Sequence, residues 1–207
     1  MLFVTVEGIE GSGKSTLLAG LAERLRSARP VVVTREPGGT PIGDKIRSIF
    51  LDRSIAIDPM TEALLVNAAR SAHVAGVIAP ALARGTIVLC DRYTDSTIAY
   101  QGYGRGLDLA TLQEMCRIAT GGLEPDVTLL LDVPLRVSCE RTRARRPELD
   151  RMESEDEGFH ERVRLGFLEI ARASNRYRVL DGTLEAGELV TLAAEAIAQR
   201  LRAETRA

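Results

Sequence analysis

Eight residues, Gly8-Ile9-Glu10-Gly11-Ser12-Gly13-Lys14-Ser15, constrain this chain more than any other feature. They fit the pattern G-x-x-x-x-G-K-[ST], and they lie between an apolar run and a helix-forming stretch, the context in which that pattern carries meaning. Glycines let the backbone wrap a phosphate, so that successive amides and the N-terminus of the following helix face negative charge. Lys14 is then placed to neutralise the β- and γ-phosphates of a nucleotide, and the Ser15 hydroxyl is expected on a magnesium ion. The segment from Gly8 to Thr16 is accordingly the candidate ATP-binding loop. A glycine-rich turn matching by chance is the plain alternative, and strand, loop and helix in register weigh against it.

Such a loop needs a sheet behind it, and the rest of the chain supplies one. Apolar, β-branched runs at 2–7, 31–34, 86–91, 127–132 and 177–180 read as buried strands. Helical stretches at 14–26, 42–51, 58–84, 108–120, 135–143, 157–174 and 184–202 separate them. The alternation predicts an α/β architecture: a three-layer P-loop NTPase fold, a parallel five-stranded sheet with helices on both faces. Asp58 is suited to cap a helix that has Pro59 in its first position, and Gly85 to end it. The segment 141–157 differs: it packs basic residues, a proline and then acidic residues with few apolar anchors, and reads as a small lid or a solvated loop.

With 207 residues, 45 % hydrophobic and 27 % charged, the chain is read as one soluble domain, 1–207. A net charge of -2 gives no global attraction to nucleic acid or an acidic membrane, so phosphate recognition must come from local basic clusters. Neither nucleic acid nor membrane is expected as a partner. Three cysteines, far apart and without a Cys-x-x-Cys pair, fit a reducing compartment; Cys90 reads as a buried core thiol. With no leader-like start and no apolar stretch long enough for a membrane span, the expected location is cytoplasmic.

A second set of residues gathers beyond the strand ends. Asp91 closes the third strand, where a carboxylate faces the magnesium site; capping the next helix is its plain alternative, and the two are compatible. Thr34-Arg35-Glu36-Pro37-Gly38-Gly39-Thr40-Pro41 follows the second strand, and Asp91-Arg92-Tyr93-Thr94-Asp95-Ser96-Thr97-Ile98-Ala99-Tyr100-Gln101 the third. Arg35 and Arg92 are positioned to grip a second phosphate, because a guanidinium fork binds phosphate oxygens in pairs. Val66 and Arg70 lie four apart on one helical face. The blander readings are an Arg35–Glu36 surface ion pair, an Arg70 marking the exposed edge of its helix, and surface positions for His73 and His160.

These residues carry a resemblance. Val6-Glu7-Gly8-Ile9-Glu10-Gly11-Ser12-Gly13-Lys14-Ser15-Thr16, Thr34-Arg35-Glu36-Pro37-Gly38-Gly39-Thr40 and Asp91-Arg92-Tyr93-x-x-Ser96-x-x-Ala99-Tyr100-Gln101 are similar to the motifs of thymidylate kinases, bacterial type, over essentially the whole length. The third is the most specific. The resemblance implies transfer of the γ-phosphoryl of ATP to dTMP, giving dTDP and ADP in dTTP biosynthesis, with Mg2+. By the same resemblance Arg35, Arg47 and Arg92 bind or orient the acceptor phosphate, and Glu36 and Ser96 stand with them in the dTMP-binding motifs. Glu10 reaches the 3′-hydroxyl or the magnesium shell, and Tyr100 crowds the 2′ position. Arg70 donates to a thymine carbonyl, with Thr97 or Gln101 on the ring imide. Val66 stands where the family usually places a stacking phenylalanine, a loss of about 1 kcal/mol of ring-on-ring contact. A catalytic lid arginine is implied, since the phosphate loop has none; among Arg141, Arg143, Arg145, Arg146 and Arg151 the candidates are Arg146 and Arg151, acting with Lys14 and Arg92. A homodimer through the long helices is also implied. A kinase for another pyrimidine monophosphate, and a nucleotide-controlled switch, are the competing functions; the chain lacks the Asn-Lys-x-Asp string of a guanine reader.

Overall fold

The computed structural model describes residues 1–27, 29–145 and 148–204. Its centre is a five-stranded parallel sheet in the order β2-β3-β1-β4-β5, built from β1 (Leu2–Glu7), β2 (Val31–Arg35), β3 (Ile87–Asp91), β4 (Val127–Asp132) and β5 (Tyr177–Asp181). Alternation along β1 shows why two layers of helix are needed. Leu2, Val4 and Val6 face one side, where they meet Leu17 and Leu21 of α1 (Lys14–Arg26) and Ala193 and Ile197 of α9 (Ala186–Glu204). Phe3 faces the other side and packs with Val88, Cys90, Ile78, Leu82 and Tyr93. The central strands are the buried ones, β1 throughout and β3 and β4 up to their half-buried last residues Asp91 and Asp132; β2 and β5 are edges, with Val33 44 % and Val179 50 % exposed. The expectation of five buried strands therefore fails at the edges, where apolar composition alone does not distinguish an outer strand from an inner one.

The register sets the site. Val6 and Arg35 both pair across Asp91, so the ends of β1, β2 and β3 lie side by side at the carboxyl edge of the sheet. Two helical segments wall that edge. The first starts at α3 (Pro59–His73), where Asp58 accepts from the Met60 and Thr61 amides with Pro59 in the first turn, as the sequence predicts. It does not run unbroken to 84. It widens into a π-helical turn, Val74–Ile78, before α4 (Ala79–Ala83). Pro80 has no amide hydrogen and its ring crowds the carbonyl four residues back, so the ladder shifts ahead of it.

The second segment falls outside the helical stretches that the sequence predicts. A short α5 (Thr94–Thr97) leads into a π-helical turn, Ile98–Gly104, and the whole stretch is almost entirely buried. Its β-branched and glycine-rich composition argues against a helix on propensity, and tertiary packing overrides it. α8 (Glu157–Arg172) closes on this segment. A Cβ on Gly166 would lie 2.6 Å from Cγ of Tyr103, so only glycine permits the approach.

The remaining helices are α2 (Pro41–Leu51), α6 (Leu109–Thr120) and α7 (Leu135–Arg145). The lid is less bare of apolar anchors than its sequence implies. Met152 is buried and packs in one cluster with Phe50, Val66, Tyr100 and Phe159.

Candidate active site

The phosphate loop forms because β1 runs straight into it and α1 leaves from it. Gly8 has φ 137°, and a Cβ there would lie 2.5 Å from the carbonyl oxygen of Leu131. Gly13 caps α1 at φ 100°. The Lys14 side chain turns back over the loop, its Nζ donating to the carbonyls of Gly8 at 3.0 Å and Ile9 at 2.9 Å. Burial, with repulsion from Arg92 next, pushes its ammonium down to about 8, against Asp91, Glu10 and Glu7. The ammonium is thus caged by dipoles in a place where an anion would be strongly favoured.

Asp91, at the end of β3, leaves Oδ1 buried with no hydrogen-bond partner. It does not cap the next helix, since α5 begins after Tyr93 with no side-chain cap. An unpartnered Asp91 carboxylate oxygen and Ser15, both residues bordering one cavity, suit a hard, oxygen-seeking cation, so the residues present fit magnesium.

Arg92 is the one non-glycine residue with positive φ, at 71°, among the described residues. A bulky residue there is strained, and strain persists only where surrounding bonds over-determine it. The Arg92 amide donates to the carbonyl of Val6 at 3.0 Å, the Tyr93 amide to Glu7 Oε1 at 2.7 Å, and the Ser96 hydroxyl to Glu7 Oε2 at 2.6 Å. The guanidinium, so turned, donates to Ser96 Oγ, Glu10 Oε1 and the Tyr100 hydroxyl at 3.1, 2.9 and 3.0 Å, and lies 4.9 Å from the centre of the Tyr100 ring.

Tyr100 also donates to Glu10 Oε1 at 2.7 Å. Burial alone would raise the Glu10 carboxyl; the charges of Arg92 and Lys14 and the Tyr100 bond outweigh it and hold it below its usual value. Glu10 Oε2 is buried without a hydrogen-bond partner, with His160 Nδ1 at 3.8 Å.

The acceptor loop is organised differently from the plain reading. Glu36 does not pair with Arg35: it accepts from Arg70 Nε at 2.7 Å and lies 2.9 Å from His73 Nδ1, all three being buried. Arg35 is more than half exposed, 3.6 Å from Asp44. Arg70 is no exposed edge but 2 % exposed, and its other nitrogens donate to Asn67 Oδ1 at 2.9 Å and the Tyr93 carbonyl at 2.9 Å. Arg47 donates to the Pro37 carbonyl at 3.0 Å. His73 and His160 are both buried, against the expectation of surface histidines, because His73 bridges Glu36 to the Thr34 hydroxyl and His160 turns towards Glu10.

One cavity of about 560 Å³ collects these groups. Glu10, Gly11, Gly13, Lys14, Ser15 and Thr16 border it from the loop; Arg35, Glu36, Arg47, Val66, Arg70, Asp91, Arg92, Ser96, Thr97, Tyr100 and Gln101 border it from the acceptor side. Gly8, Ile9 and Ser12 lie behind that face of the loop. Of the lid arginines, Arg141 and Arg145 border the cavity. Arg151 does not: it donates to Glu62 and to the Phe50 carbonyl, and stacks 4.9 Å from the Phe50 ring. Arg146 lies outside the described residues.

Glu7, Glu62, Asn67, His73 and His160 join the site without being among the residues that the sequence singles out for it. The signal for Glu62 was there, since 62, 66, 70 and 73 fall on one helical face. Glu7 stood as a charge at the end of an apolar strand. Burial, then the neighbouring Asp95 charge, raises its carboxyl to about 7, against the Ser96 bond, the Arg92 charge and the Tyr93 amide. Between the usual carboxyl range and about pH 7, the folded chain therefore holds a proton that the unfolded chain has released. This contribution to stability is greatest on the acid side and shrinks as pH rises through that window. The unfolding free energy of wild type minus that of Glu7→Gln should fall from about pH 5 to about pH 7.5 in urea titrations. A flat or rising difference rejects the assignment.

A phosphate loop facing a second, arginine-lined anion site across one cavity defines a P-loop nucleoside-monophosphate kinase. The family model for thymidylate kinase matches residues 6–193. A thymidylate kinase of Deinococcus radiodurans is 49 % identical over 201 residues, covering 96 % of this chain and 97 % of its own. One from Thermomicrobium roseum is 55 % identical over 184 residues, 88 % and 87 % of the two chains. The crystal structure of thymidylate kinase from Ehrlichia chaffeensis aligns with TM-score 0.73 and 36 % identity, covering 86 % of this chain and 91 % of that one. The chain belongs to the thymidylate kinase family, whose members phosphorylate dTMP to dTDP using ATP.

Proposed function

We propose that this chain transfers the γ-phosphoryl of ATP to dTMP with Arg35, Arg47 and Arg92 holding the acceptor phosphate opposite Lys14. The observation that carries the assignment of roles is the single cavity shared by Lys14, Ser15 and Asp91 on one side and those three arginines on the other. The acceptor phosphate is already anionic, so no general base is required; alignment and charge neutralisation supply the rate. Ser15 and Asp91 would hold Mg2+, which when bound neutralises charge on the transferring phosphates. Lys14 exchanges its loop carbonyls for phosphate oxygens, and Arg92, held in place by Ser96, Glu10 and Tyr100, brings its charge to the acceptor phosphate, which takes an Nη2 hydrogen from Glu10 or Tyr100 if it is bound by the fork.

For the nucleoside, Arg70 donates to a ring carbonyl, Thr97 or Gln101 meets the imide, and Val66 supplies an apolar wall. Tyr100 closes the 2′ position, and Glu10 Oε2, lacking a partner, suits a sugar hydroxyl. The lid arginine we assign is Arg145, since it borders the cavity, paired with Glu153 of the lid at 2.6 Å, while Arg151 lies off the cavity against Glu62 and Phe50. We further propose a cytoplasmic homodimer feeding dTTP synthesis, its contact including the exposed Leu64 on α3 and Ile118 on α6; a monomeric mass in solution rejects that contact.

The test is ADP formation from ATP and Mg2+ with dTMP, dUMP, UMP, dCMP or GMP as acceptor. dTMP should react fastest, and Arg145→Ala should lower kcat by about a hundredfold or more with KM for dTMP little changed. Another acceptor winning would sink the base assignments, and an unimpaired Arg145→Ala would return the role to another lid residue.

A further inference from the structure

Glu62 is fully buried on α3, one helical turn before Val66 and two before Arg70, and stands behind the cavity wall. Its Oε2 accepts from Gln101 Nε2 at 3.1 Å and Arg105 Nε at 3.1 Å; its Oε1 accepts from Arg105 Nη2 at 2.9 Å and from Arg151 Nη1 of the lid. A carboxylate clamped by two guanidinium groups offers lone pairs and no proton, so whatever faces it must donate. The Gln101 amide therefore has no choice of orientation: its nitrogen belongs to Glu62, and its carbonyl oxygen is left for the cavity that Gln101 borders.

Arg70, two turns along the same helix, is as firmly set. Nε is held by Glu36, Nη1 by Asn67 and Nη2 by the Tyr93 carbonyl, which leaves Nη2 a second hydrogen for a ligand. The cavity thus presents a fixed donor and a fixed acceptor. That edge matches a pyrimidine with a carbonyl beside a ring N–H, and it opposes one with an amino group beside an unprotonated ring nitrogen.

We propose that Glu62 is a specificity-determining positioning residue: by holding the Gln101 amide nitrogen, it fixes Gln101 Oε1 as an acceptor and so selects thymine- or uracil-type rings over cytosine-type rings. This rests on the reading of Arg70 and Gln101 as base contacts. The lid takes part, because Arg151 ends on the same carboxylate and Arg105 links it to Glu155 at 2.6 Å. A docked lid therefore supports the orientation that reads the base.

Glu62→Gln can either donate or accept and so frees the Gln101 amide to flip. The ratio of kcat/KM for dTMP to that for dCMP should fall by about tenfold or more, because a site built to pair a ring N–H discriminates only while its partner is oriented. An unchanged ratio, or an equal loss for both nucleotides, overturns the proposal. Gln101→Ala separates this from the underlying reading. If Gln101→Ala loses the ratio while Glu62→Gln keeps it, Glu62 has no orienting role and the base contact stands. If Gln101→Ala keeps the ratio, the base reading itself falls. Should Glu62→Gln not fold, 15N-labelled wild-type protein serves. The Gln101 side-chain amide should exchange slowly with solvent both before and after dTMP is added, and fast exchange in either state overturns the proposal.

Discussion

Replacing Lys14 with methionine is expected to lower kcat by about a thousandfold or more while the protein stays folded. The ammonium is the one lysine charge in the cavity, and it is held by two loop carbonyls at 3.0 and 2.9 Å. Methionine fills much of the same volume, so α1 keeps its packing. The folded state also sheds a buried charge whose desolvation burial has already made costly. The two carbonyls lose a donor, which sets a penalty of about 1–3 kcal/mol against that gain. Turnover should therefore collapse while the melting midpoint moves by only a few degrees, as read by a coupled ADP assay and circular dichroism. A variant within about tenfold of wild-type kcat would remove Lys14 from the transfer.

Arg92→Ala should lower kcat/KM for dTMP by about a thousandfold and leave KM for ATP nearly unchanged, because the lost fork serves the acceptor. Arg92→Lys should recover only part, since an ammonium cannot bridge two oxygens. The backbone permits a sharper control. Arginine and alanine suffer alike at φ 71°, whereas glycine is at ease there. Arg92→Gly should accordingly be more stable than Arg92→Ala, by about 1 kcal/mol, and no more active. If Arg92→Gly retains acceptor use, the guanidinium is not what the strained backbone serves.

Much of the fold could be read beforehand because it rests on local signals. The strands are short apolar runs, Asp58 and Pro59 open α3 by their own chemistry, and the phosphate loop announces both the strand before it and the helix after it. The site was legible as far as its charged residues stand in motifs. What escaped depends on distant partners. Arg70 reads as a helix edge until Glu36, Asn67 and Tyr93 surround it. Arg151 reads as a lid charge until Glu62, 89 residues away in sequence, claims it. His73 and His160 have no neighbours in sequence that foretell their burial. The segment beginning at Thr94 is hidden for another reason: its composition disfavours a helix, and tertiary packing, chiefly against α8 and also against α3 and α6, makes one.

That segment also bears on how this family can vary. A π-helical turn is an α-helix carrying one residue more than its pitch allows. Deleting a single residue between Ile98 and Gly104 would let the ladder close normally with the flanking turns kept in register, while the residues inside the turn, Tyr100 and Gln101 among them, would change their places on the helix surface. Tyr100, Gln101 and Arg105 could not then all keep their present partners. Chains of this fold that differ in length here should differ in the monophosphate they accept, whereas length changes in the loop between α6 and β4 should leave that choice alone. An alignment sorted by the length of this one turn would separate substrate classes before any binding residue is compared.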